Sequence, residues 1–85
     1  MKKSLTWIEL SETEWLLVCV GYIVPFCTND EKILQEQGIL IQPEGVIVST
    51  SSYTWNTFRV WKRVGLLKED DKMQIENMLQ ERNKD

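Results

Sequence analysis

Eighty-five residues leave room for one small domain, residues 1–85, with a single modest core near the lower limit of what folds without staples. A net charge of −3 and an isoelectric point of about 4.9 exclude a general polyanion binder, so any nucleic-acid contact has to come from a local basic face. The chain has no histidine and only two cysteines, which excludes Cys/His zinc spacings, leaves too few thiols for a structural zinc site and removes the usual general base.

Leu5, Trp7, Ile8 and Leu10 open the chain as a short strand or as an arm packed on the domain. Ser11-Glu12-Thr13-Glu14 then has the form of a capping box and predicts a first helix from about residue 12 to about residue 24, stopped by Pro25. Trp15, Leu16, Leu17, Val18, Cys19, Val20, Tyr22 and Ile23 would cover the whole circumference of that helix. A helix apolar all round is either central to the core or shared with a partner; in the second case Trp15 and Tyr22 are candidate partner contacts, and a homodimer through this helix is one form the sharing can take. The apolar run is too short to span a bilayer, and Glu9, Glu12 and Glu14 precede it, which argues against a signal peptide. The chain reads as cytoplasmic, with reduced, packed Cys19 and Cys27 favoured over a disulfide.

Thr28-Asn29-Asp30-Glu31 repeats the capping logic and starts a second, short helix to about Gln37, where Gly38 supplies the left-handed residue that ends it. Ile39-Leu40-Ile41-Gln42 and Val46-Ile47-Val48-Ser49 flank Pro43-Glu44-Gly45, a turn between β-branched arms that forms either a short hairpin or an extended loop. Thr50-Ser51-Ser52 offers caps for a third helix ending near Gly65. A fourth helix begins at Lys68 or Glu69 and runs to about Arg82, its acidic start and basic end matching the helix dipole, with Ile75, Met78 and Leu79 as a narrow apolar face.

The third helix carries the sharpest functional signal. At helical spacing, Phe58, Val60, Trp61 and Val64 form a core stripe, while Trp55, Asn56, Arg59, Lys62 and Arg63 fall on the opposite side. Three cations and an amide beside a tryptophan have the composition of a binding hot spot. Catalytic chemistry has no comparable signal. Glu69-Asp70-Asp71 is explained by the first turn of a helix, Ser49 through Ser52 have no base to activate them, and no glycine-rich phosphate loop or cofactor motif occurs.

Two resemblances follow from the order of these segments. Leu10-Ser11-Glu12-Thr13-Glu14-Trp15-Leu16-Leu17 is similar to the first helix of many bacterial helix-turn-helix regulators, and residues 51–67 resemble a winged-helix recognition helix and its exit. That resemblance implies Asn56, Arg59 and Arg63 as base or phosphate contacts, although residues 38–51 replace the tight turn between the two helices. Gly38-Ile39, Glu44-Gly45, Asn56-Thr57-Phe58-Arg59 and Leu67-Lys68-Glu69-Asp70-Asp71-Lys72 resemble, in order and approximate spacing, the phage anti-sigma factor family of AsiA over the C-terminal half. This second resemblance implies an all-helical regulator whose apolar N-terminal helix binds a sigma factor, with no individual contact residue carried over.

The sequence thus predicts a mostly α single domain of about four helices, with a helix-turn-helix-like core and, in the middle, either a short β-hairpin or an extended loop. Its expected function is a non-enzymatic, phage-type regulator or inhibitor that binds a protein, a sigma factor or RNA polymerase subunit. The alternative is a sequence-specific DNA-binding transcription regulator. Neither reading calls for a metal, a cofactor or a membrane.

Overall fold

The structure is a computed structural model that describes residues 3–22, 28–48 and 54–83, with side chains for all of these except 28, 45–48, 54 and 55. Its elements are β1 (Ser4–Ser11), β2 (Glu14–Val20), α1 (Thr28–Glu36), β3 (Ile39–Val48), β4 (Thr54–Lys62) and α2 (Glu69–Arg82). The four strands form one antiparallel sheet in the order β1-β2-β4-β3. The chain is therefore two successive strand–strand–helix halves whose later strands, β2 and β4, meet at the centre of the sheet.

This architecture overturns the mostly α, helix-turn-helix-like expectation: two of the four expected helices are the two central strands. Residues 14–20 pair with β1 on one side and β4 on the other. Apolar side chains all round a helix and apolar side chains on both faces of a strand give the same uninterrupted run, so periodicity does not separate the two states. Ser11-Glu12-Thr13-Glu14, whose wording fits a capping box, forms the tip of a hairpin instead, with Ser11 opposite Glu14. The carbonyl of Thr13 accepts from the Lys62 amide at 2.9 Å, which ties that tip to the end of β4. β4 is built from Thr, Trp, Phe and Val, side chains that suit a pleated surface, and sheet pairing on both edges outweighs the helical reading of its cations. Pro43-Glu44-Gly45 is neither a turn nor a loop. It is an irregularity between Pro43 and Gly45 inside the continuous strand β3, so the expected hairpin at this point does not form. The expected helix stop at Pro25 and the caps at residues 50–52 lie outside the described residues.

The other two helices lie where the local chemistry places them. α1 ends as expected: Gly38 takes φ +80 and its amide donates to the Gln35 carbonyl at 2.9 Å. The Gly38 carbonyl in turn accepts from the Arg63 amide at 2.8 Å. α2 starts after Lys68, whose amide donates to the Asp71 carboxylate at 2.9 Å, and its first turn carries Glu69, Asp70 and Asp71. Among the described residues no helix is long and apolar enough to cross a membrane.

Both helices lie on one face of the sheet. Leu17, Cys19, Phe58 and Val60 point to that face and pack with Leu34 of α1 and with Ile75 and Leu79 of α2. Met78 is half-buried against the same cluster, so the predicted narrow apolar face of α2 is the one that docks. Asp30 of α1 lies 3.9 Å from Arg82 of α2, linking the helices above the sheet. Trp7 donates to Glu76 at 2.7 Å and meets Trp15 edge-on with ring centroids 6.4 Å apart. Cys19 is a free thiol with no solvent exposure, and burial pushes its pKa up to about 12. With Cys27 replaced by serine, Cys19 should resist a water-soluble thiol reagent in the native chain and react at once in urea. Equal rates in both states would place the thiol at the surface.

Candidate interaction surface on the open sheet face

Strand alternation decides which side chains share the face opposite the helices. Cross-strand partners point to the same side, so Thr6 with Val18 and Thr57, and Ile8 with Leu16 and Arg59, form adjacent rows. Glu14 and Trp61 form a further row, continued on β3 by Leu40. Ile8 is 44 % exposed and its β1 neighbour Leu10 43 % exposed, while Leu16, Val18, Leu40 and Trp61 are half-buried. Among the described residues neither helix covers this face. Among the described residues the apolar side chains Ile8, Leu10, Leu16 and Val18 therefore lie on a face that no helix packs against, with Trp61 and Leu40 further along it.

A charged cluster stands on the same face. Arg59 projects between two carboxylates, its Nη1 3.0 Å from Glu14 and its Nε hydrogen-bonded to Glu44. The guanidinium also lies over the Trp61 ring, 5.9 Å from its centroid, and the Trp61 indole N–H donates to Glu14. Hydrogen bonds that Arg59 donates to Glu44 and Glu14 push its already high pKa further up. The group is a fixed cation clamped to the sheet surface, with the apolar rows beside it.

The residues expected to bind a partner do not assemble into one face. Helical spacing groups positions 55, 56, 59, 62 and 63, whereas strand alternation separates 55 and 59 from 56 and 62. Arg59 alone of that group stands in the open-face cluster. Lys62 points to the helix side and pairs with Asp71 at 3.0 Å. Asn56 donates to the Tyr22 carbonyl at 2.8 Å and acts as an internal strut. Arg63 is exposed just beyond β4. Trp55 sits in β4 opposite Val20 and Ile47, and its side chain, hence its expected exposure, lies outside the described residues.

Trp15 and Tyr22 are also internal. Trp15 is covered by Lys72, whose Nζ lies 3.7 Å from the ring centroid, and its indole N–H is buried without an acceptor among the described residues. Tyr22 is 8 % exposed, with the Lys3 ammonium 5.6 Å from its ring centroid. The core stripe of the expected third helix splits in the same way: Phe58 and Val60 are buried, Trp61 is on the open face, and Val64 is 82 % exposed. Ile8, Leu10 and Glu44 are surface residues that helical reasoning does not single out, and Leu16 and Val18, which it places on an all-round apolar helix, lie half-buried on the open face. The signal available for them was the β-branched content of the run at 16–20 and the strand option for residues 5–10.

Among the described residues no three or more acidic or cysteine side chains are grouped to hold a metal. No protein-family model, no curated protein and no solved structure matches this chain.

Proposed function

We propose that this chain is a small non-enzymatic regulator or inhibitor that acts by binding another protein through the open face of its sheet. The observation that carries the reading is the exposure of Ile8 and Leu10 beside half-buried Leu16 and Val18. β2 is apolar on both faces, and the helices bury only one of them. An apolar strip of this kind supplies the desolvated centre of an interface, and the Glu14–Arg59–Glu44 cluster supplies a polar rim. Sequence-specific DNA binding through residues 55–63 has less support. That segment is a strand bonded on both edges, and Arg59 and Lys62 are already paired with carboxylates. Host transcription machinery, a sigma factor or RNA polymerase subunit, is the partner class to test first. The all-helical domain implied by the anti-sigma resemblance is not this fold, so that target now rests on the resemblance of short sequence words alone.

The test compares the native chain with Ile8→Lys as immobilised bait in nuclease-treated bacterial lysate at about 0.3 M salt, where contacts made only to phosphates are weak. A protein retained in stoichiometric amount by the native chain should be lost from Ile8→Lys, with the melting temperature shifted by no more than a few degrees. Equal retention by both baits would move the binding surface elsewhere. Retention of nucleic acid alone, once nuclease is omitted and salt lowered, would overturn the protein-binding reading.

A further inference from the structure

We infer that the outer edge of β1 pairs with the β1 edge of a second copy of this chain, joining two four-stranded sheets into one of eight strands. The two edges of the sheet differ. On β3 the edge is interrupted at Pro43, which has no N–H to offer, and by the irregularity between Pro43 and Gly45. On β1 the register is regular from Ser4 to Glu9, no proline occurs, and the register slip falls only near the hairpin tip, between Glu9 and Ser11. Among the described residues no strand pairs with this edge, which leaves a row of main-chain donors and acceptors for another strand.

The side chains point to a copy of the same strand as the occupant. Two antiparallel copies of one strand are related by a two-fold axis through the sheet, so each residue meets one of the same face. With the axis at Thr6, Lys3 faces the partner's Glu9, Leu5 faces the partner's Trp7, and the two Thr6 side chains meet at the centre. Both charges of this stretch are thereby matched with opposite charges twice over, and Leu5 and Trp7, each half-buried against the core, continue their apolar contact across the seam. Lys3 is exposed, and its ammonium, with three donors, gives one to the Asn83 carbonyl at 2.7 Å. An axis at Trp7 would set Leu5 against Glu9. An axis at Ile8 would set Trp7 against Glu9 and carry the pairing through the register slip. The Thr6-centred register avoids both. This contact is made by main chain at an edge and leaves the open face uncovered, so it stands or falls independently of the function proposed above.

Sedimentation equilibrium should show a reversible particle of twice the 10.0 kDa chain mass. Glu9→Lys places two lysines opposite one another at both ends of the seam and should weaken the dimer by about tenfold, and Lys3→Glu combined with Glu9→Lys should restore it. Thr6→Cys should give a covalent dimer under mild oxidation that the native chain does not give under the same treatment. A chain that stays monomeric to high micromolar concentration overturns the inference. So does a dimer that is indifferent to Glu9→Lys and leaves Thr6→Cys uncrosslinked, because its contact then lies elsewhere. All three substituted positions are exposed, and an unchanged circular dichroism spectrum identifies loss of pairing rather than loss of fold.

Discussion

Leu17→Ala should remove about 3 kcal/mol of stability, whereas Leu16→Ala, one residue away, should remove less than about 1 kcal/mol. Leu17 lies on the helix side of the central strand β2, fully buried between Trp7 of β1 and Phe58 of β4. Truncating it opens a cavity that rigid neighbours on three elements cannot close. Leu16 occupies the open face beside exposed Ile8 and loses only partial contacts. The contrast is a direct probe of strand geometry, because adjacent positions on a helix apolar all round would not separate so sharply. Urea denaturation of the two variants measures it, and similar midpoints would contradict the placement of these side chains.

Lys72→Glu is the second large effect, an expected loss of about 2–4 kcal/mol, while Lys72→Met should stay within about 1 kcal/mol of the native chain. Lys72 is 8 % exposed, which is unusual for a lysine. Its stem lies against the core and its ammonium sits on the face of Trp15 while pairing with Glu69 at 2.8 Å. The ring face carries the negative side of the aromatic quadrupole, so it receives a cation and repels a carboxylate. Glu69, Asp71 and Glu76 are close by on α2 and would add like-charge repulsion to an introduced glutamate. Methionine keeps the length of the stem and abandons a charge whose desolvation offsets much of what its contacts contribute. Denaturation in low and high salt separates the two contributions. Equal destabilisation by both substitutions would mean that packing of the stem, not charge on the ring, is what the position supplies.

The two helices were legible because each carries its own local signals. The acidic first turn of α2, its basic end and the spacing of Ile75, Met78 and Leu79 need no knowledge of the rest of the chain. Gly38 likewise ends α1 through a backbone conformation that glycine adopts freely. The central strands carry no such local mark. β2 and β4 are fixed by each other, through pairs as distant in the chain as Leu17 and Phe58, and a single sequence does not display that partnership. β2 is also apolar on two faces, which erases the alternation by which a strand is recognised, and β4 mixes polar and apolar side chains on both of its faces. The candidate site suffered in proportion. A helical period groups Arg59 with Lys62 and Asn56, which face the opposite side, spreads Leu16 and Val18 around a helix shared between core and partner, and leaves Ile8 on a strand or arm.

The strand order also governs how the chain reaches this state. Each half contains a hairpin, β1 with β2 and β3 with β4, that closes over a short stretch of chain. Neither hairpin buries its apolar face alone, and a lone two-stranded hairpin is marginal in water. The fold becomes self-supporting only when β2 zips onto β4, a long-range closure whose entropic cost is met before its contacts form. Substitutions along that central seam, at residues such as Leu17, Val18, Thr57 and Phe58, are therefore expected to slow folding, which φ-value measurements check. Substitutions in the outer strands are expected chiefly to shorten the time the finished molecule lasts before it opens.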